Sequence, residues 1–190
     1  VMASGVVFGL LGIIGATYRP APPPVVVVVP GPIVVADDSP PWPRFRGLGG
    51  SGRVSYDNIP TSWDGKTGRG ILWKTPVPLM GHNSPIVWGS RVFLSGADKD
   101  KRQVYCFDAG SGELLWTGDV ALAVAGTSPD SMDDTGYAAP TAATDGKRVF
   151  AIFANGDIAG FDFDGKRIWA RNLGVPDNAY GHASSLLVYE

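Results

Sequence analysis

Cysteine is almost missing from this chain: Cys106 stands alone among 190 residues, so no intrachain disulfide can form and cysteine usage reveals no redox compartment. Set within the apolar run Val104–Phe107, it reads as a small buried hydrophobe rather than a reactive thiol. Histidine is scarce as well. His82 and His182 are the only two, and neither has a Cys, Asp or Glu at metal-ligand spacing. An excess of one charge is also lacking, because sixteen basic and eighteen acidic residues leave a formal net charge of −2. With both signs spread along the chain, nucleic acid has no electrostatic footprint here and is not an expected partner. Neither a Gly-x-Ser-x-Gly elbow nor a Walker loop occurs, which leaves nucleophilic and phosphate chemistry without support.

What is present divides into three stretches. Residues 1–18 (VMASGVVFGLLGIIGATY) carry no charge and, as a helix, reach roughly 27 Å, close to a hydrocarbon core. They fit a signal-peptide core or a transmembrane anchor, although the positive region that precedes either is not seen. Residues 19–40 form a Pro- and Val-rich linker, extended because proline blocks helix continuation. Within it, Val34-Val35-Ala36 offers small residues for a signal peptidase. Both alternatives predict an exported or membrane-anchored protein whose later residues lie outside the cytoplasm.

Residues 41–190 hold an internal repeat. Trp73, Trp116 and Trp169 close similar phrases (Ile71-Leu72-Trp73, Leu114-Leu115-Trp116, Arg167-Ile168-Trp169) at spacings of 43 and 53 residues, near those of propeller blades. Between the tryptophans the same order of short apolar runs returns. Gly89-Ser90, Asp145-Gly146, Asn155-Gly156 and Asp164-Gly165 separate neighbouring runs, and such pairs accept the backbone of tight hairpins. Nothing between the runs is long enough for a crossover helix. The spacing therefore predicts an all-β fold with two four-stranded antiparallel sheets, over Ser84–Thr117 and Pro140–Ala170. It further predicts Ile71–Thr75 as the outer strand of a preceding blade. Gly181-His182-Ala183 echoes Gly81-His82-Asn83 and opens a third unit.

The phrases Val104–Trp116 and Ile158–Trp169 resemble the PQQ-like β-propeller repeat, in which an apolar strand leads into an Asp, a Gly-rich turn and a tryptophan that docks between blades. Trp42-Pro43-Arg44-Phe45-Arg46-Gly47 resembles the opening of bacterial propellers of this kind. That family includes quinoprotein dehydrogenases and the outer-membrane assembly scaffold BamB. The resemblance implies a β-propeller in the bacterial cell envelope, periplasmic or membrane-anchored, and an expected role for Trp73, Trp116 and Trp169 in blade docking.

Function is less determined than fold. A quinoprotein enzyme of this family holds PQQ beside calcium, a catalytic Asp and a disulfide of adjacent cysteines. Cys106 alone cannot make that disulfide, and no residue here matches the calcium ligands or the catalytic Asp. The expectation is accordingly a non-catalytic binding or scaffolding module without a cofactor, whose partner is a protein or small ligand held by propeller loops. The membrane would be reached through the amino-terminal segment. A PQQ-dependent dehydrogenase with its active residues elsewhere is the alternative. His82, Asn83 and His182, at the entrances of inner strands, are candidates for lining the channel. Asp130, Asp133 and Asp134 form a candidate recognition loop, their spacing departing from a calcium-binding EF-hand. Gly47–Gly52 satisfies G-x-G-x-x-G, yet Pro41 and Pro43 precede it where a buried strand belongs, so it reads as a loop.

Overall fold

The computed structural model describes residues 41–56, 59–120 and 135–189. Residues 1–40 and Asp130, Asp133 and Asp134 lie outside the described residues, together with everything expected of them.

Two four-stranded antiparallel sheets follow one another in the chain. The first is ordered β1 (Ile86–Trp88), β2 (Arg91–Ala97), β3 (Arg102–Asp108), β4 (Leu114–Asp119). The second is ordered β5 (Ala143–Thr144), β6 (Arg148–Ile152), β7 (Asp157–Asp162), β8 (Arg167–Asn172). Each strand pairs with its sequence neighbour, as the hairpin turns require, and the meander order is that of propeller blades. Both sheets occupy the expected stretches, shifted by two or three residues toward the carboxyl terminus. The same irregularity recurs in both, a register shift between the third and fourth strands at Cys106/Phe107 and at Gly160/Phe161. A bulge at that place increases the twist of the outer strand, as a blade demands.

Residues on both faces of β3 are buried, which explains why Val104–Phe107 is apolar without a break. Val104 and Cys106 point into a core shared with the second sheet, where they join Phe93, Val149, Phe153 and Phe161. Tyr105 and Phe107 point to the opposite face and pack with Val92, Trp73 and Leu79. The first sheet is thus covered on both sides, by the second sheet and by the segment before it.

Ile71–Thr75 is held differently from the eight strands. It has no ladder partner among the described residues and is not a strand. Side chains hold it instead: Trp73 Nε1 donates to the Ala109 carbonyl at 2.8 Å and Thr75 Oγ1 donates to the Gly112 carbonyl at 2.7 Å. Trp116, on β4, repeats this arrangement one blade later, donating to the Phe163 carbonyl at 2.9 Å. The rings of both lie directly over glycines. A Cβ on Gly112 would sit 2.5 Å from the Trp73 ring, and one on Gly165 would sit 2.7 Å from the Trp116 ring. Both glycines also have positive φ, 73° and 86°, so two independent demands exclude a side chain there. Trp169 stacks on Phe150 of its own sheet with centroids 6.0 Å apart.

The seam between the sheets is aromatic on one side and ionic on the other. Phe93 lies 6.0 Å from Trp116 and 5.0 Å from Phe163, while Trp116 stacks on Phe161 at 5.9 Å. Toward the other side, Arg102 of β3 meets Asp157 of β7 at 3.2 Å, with side chains 7% and 0% exposed. Asn155 and Asn172 donate to the same carboxylate at 2.9 and 2.8 Å.

Trp116→Ala is expected to lower stability by about 3–5 kcal/mol, the usual cost of deleting a large packed aromatic. Chemical denaturation of the intact protein checks this. Asp157→Ala should cost a similar amount, about 3–5 kcal/mol, because it strands a buried guanidinium. Adding Arg102→Met to Asp157→Ala should recover much of that loss, which a double-mutant cycle measures.

Candidate functional site

The inner strands converge where Gly81–Asn83 enters the first sheet and Tyr137–Thr141 approaches the second. The His82 amide donates to the Ala138 carbonyl at 3.0 Å, and the Ser84 amide to Thr141 Oγ1 at 3.0 Å. Asn83 joins the two blades through one side chain. Its Nδ2 donates to the carbonyls of Ser95 and Ala138 at 2.7 and 2.9 Å, and its Oδ1 accepts from the Ser95 amide at 3.3 Å. All these bonds satisfy backbone that no ladder reaches. Asn83 is therefore occupied in building the site rather than exposed to a ligand.

Beside this crossing lies a cleft of about 400 Å³, walled by Leu79, Met80, His82, Lys99 and Tyr137. Met80 is 74% exposed, unusual for a residue at the mouth of an apolar hollow. Methionine suits such a place, because its flexible thioether adapts to varied apolar partners. An adjoining hollow of about 340 Å³ is bordered by Asn83, Leu94 and Ser95. The buried Ser95 Oγ has no hydrogen-bond partner among the described residues.

The two histidines are handled alike but are not brought together. As the His82 amide bonds Ala138, so the His182 amide donates to the Ala154 carbonyl at 3.0 Å. The His82 ring lies against Gly136, whereas the His182 ring nitrogen Nε2 is 3.0 Å from the Gly174 carbonyl. His82 borders the cleft; His182 holds a turn. Among the described residues no group of three His, Cys, Asp or Glu side chains is placed to hold a metal ion. No helix among them is long and apolar enough to cross a membrane. Cys106 is fully buried, and burial pushes its thiol up to about 11. Gly47–Gly52 is a loop around a short 3₁₀ turn, Leu48–Gly50.

Carboxylates at the turns serve the backbone. Amide and hydroxyl hydrogen bonds from Ser111 hold Asp108 below the ordinary carboxylate value. This is the Asp of the repeat phrase, and it braces the Gly-rich turn on which Trp73 rests. The Arg102–Asp157 pair and the Met80–Tyr137 cleft escaped the sequence reading. Each joins residues about 55 positions apart across the seam, and no local spacing marks such a pairing.

A family model described as outer membrane protein assembly factor BamB matches residues 54–185. The chain belongs to that family. Among solved structures it is similar to BamB from Moraxella catarrhalis, at 17% sequence identity and a TM-score of 0.38. That similarity covers 58% of this chain and 27% of the Moraxella chain, so the chain spans about a quarter of that relative. No curated protein matches it. The two sheets are accordingly consecutive blades of a BamB-family propeller.

A buried thiol with a raised pKa is a poor nucleophile. Cys106 should resist an aromatic disulfide reagent in the folded protein at about pH 8 and react promptly once denaturant exposes it, as absorbance of the released thiolate would record.

Proposed function

We propose that this protein is a non-catalytic binding or scaffolding module of the bacterial cell envelope, exported or membrane-anchored through its amino-terminal segment. The observation that carries the reading is the Met80–Tyr137 cleft, an open and largely apolar hollow at the blade crossing with an exposed methionine at its mouth. Around it the polar groups of Asn83 and Thr141 are taken up by backbone. A mostly apolar floor with His82, Asp98 and Lys99 at its wall suits a protein partner that offers apolar side chains and a polar rim. Membership of the BamB family supports a scaffold working in the envelope, since the family description names an outer-membrane assembly factor.

The alternative, a PQQ-dependent dehydrogenase, draws no positive support from this stretch. Asp157, a fully buried carboxylate at the seam, accepts from Arg102, Asn155 and Asn172, and these bonds tie it to the joint between the blades. Cys106 is enclosed in the core that the two sheets share.

Two measurements test the proposal on the intact protein. A photo-crosslinking residue in place of Met80 should give a discrete protein adduct in envelope fractions, lost when Tyr137→Asp is added; random labelling alone would defeat it. Calorimetry with PQQ and Ca²⁺, followed by a dye-reduction assay with simple alcohols, should show neither binding nor turnover. Micromolar PQQ affinity with alcohol-dependent reduction would establish the dehydrogenase instead.

A further inference from the structure

The inner strands have a second end, and its chemistry is different. Trp42 forms an antiparallel bridge with Val87 of β1, donating to its carbonyl at 2.8 Å and accepting from its amide at 2.9 Å. The next residue, Pro43, accepts from the Thr144 amide of β5 at 2.9 Å. Residues 42–43 are thus a strap laid across both blades at their inner edge. The strap joins them at the Val87/Thr144 end, away from the His82/Ala138 end that borders the cleft.

Beyond the strap the chain closes a tight loop. The Gly47 amide donates to the Arg44 carbonyl at 2.9 Å and the Gly52 amide to the Arg46 carbonyl at 2.8 Å. Gly47 lies under the Trp42 ring, so close that a Cβ there would meet it at 2.5 Å. The loop is therefore pinned to both blades. It carries Arg44, Arg46 and Arg53, and no acidic residue occurs from Pro41 to Tyr56. Neither ion pair found among the described residues, Arg102–Asp157 and Arg148–Asp145, involves these three arginines. The excess is confined to residues 41–56, which Asp37, Asp38 and Asp57 flank in sequence.

Arg46 is also the one non-glycine residue among those described with positive φ, 63°. A side chain in that region carries backbone strain, and such strain tends to persist where it positions a group for use. Here the strain holds Arg46 over the loop, its guanidinium Nε 3.6 Å from where a Cβ on Gly52 would stand. Beside the arginines, Phe45 and Leu48 are 49% and 54% exposed.

We infer that this pinned loop is a docking site for an acidic peptide segment, its carboxylates held by Arg44, Arg46 and Arg53 and its apolar side chains resting on Phe45 and Leu48. Charge complementarity chooses the occupant. Guanidinium forks match carboxylates in a two-point geometry, and the interleaved apolar residues match side chains that a purely anionic chain lacks. The site is independent of the Met80–Tyr137 cleft and lies at the opposite end of the inner strands.

The test titrates the intact protein, by calorimetry, with a synthetic peptide alternating Glu and Leu, its Gln counterpart, and a sulfated oligosaccharide. The Glu peptide should bind and the Gln peptide should not. Raising salt from about 50 to about 300 mM should weaken binding about tenfold, because exposed charges are screened. Arg46→Asn combined with Arg53→Gln should also weaken it at least about tenfold. Asparagine tolerates positive φ, so that variant should melt no lower than the parent and its loss cannot be ascribed to unfolding. Met80→Asp should leave this binding unchanged, which separates the site from the cleft. Equal binding of the Glu and Gln peptides, indifference to the arginine replacements, or tighter binding of the oligosaccharide would overturn the assignment.

Discussion

Everything in this structure depends on an indole lying over a glycine turn of the next blade. A lone four-stranded sheet with apolar residues on both faces has no stable state in water, because one face always remains wet. Trp73 solves this for the first sheet and Trp116 for the second. Each supplies a large apolar area together with one N–H aimed at a carbonyl of the turn, so burial carries no orphaned donor. The turn glycines fix how close the blades stand. With the Trp116 ring 2.7 Å from the place of a Gly165 Cβ, even a methyl group would force the seam apart. The repeat phrase is therefore a contact written twice: Asp108 braces the turn that receives one tryptophan, and the strand after that turn sends out the following one.

Apolar packing of this sort sets distance well and register poorly. Phe93, Trp116, Phe161 and Phe163 would tolerate a slide of one blade along the other, since dispersion has little directional preference. Arg102 and Asp157 do not. A fully buried carboxylate with one guanidinium and two carboxamides about it has a single arrangement that satisfies all partners. Asn83 adds a second directional tie at the inner edge, bonding its own blade and the neighbouring one at once. The polar ties contribute less net stability than the aromatic seam, because desolvation offsets most of their attraction. Their effect is to select one docking among several of similar burial.

Strand order was legible because it is local. Hairpin turns such as Asp164-Gly165 and apolar runs such as Arg148–Phe153 announce themselves within a few residues, and each strand pairs with its neighbour in sequence. The recurring tryptophans were legible because the repeat doubles the signal. Ile71–Thr75 carries the same phrase, and among the described residues it is held by the side chains of Trp73 and Thr75 rather than by a ladder. The cleft was not legible at all. Met80 and Tyr137 belong to different blades, and nothing near either residue records that the seam brings them together. His82 and His182 sit at matching points of the repeat with matching amide bonds, yet only His82 borders the hollow, because the ring of His182 turns toward Gly174.

The division between seam and edge bears on what such a module can do. Along the seam, buried polar groups are matched to one another, and the buried thiol is held protonated by its surroundings. Residues with unspent capacity stand at the ends of the inner strands: an exposed methionine near one end with the Ser95 hydroxyl, which has no partner among the described residues, and at the other three arginines with no ion pair among the described residues. These ends are also where the chain leaves the ladders, so side chains there can vary without disturbing the register of the blades. Rigidity at the seam then has a direct consequence for recognition. Because the strap is bonded to both β1 and β5, the arginine loop keeps a fixed position relative to the pair of blades, and less ordering entropy is lost when an extended segment binds. The same indole–glycine contacts that make the blades stable are what make their edges usable as binding surfaces.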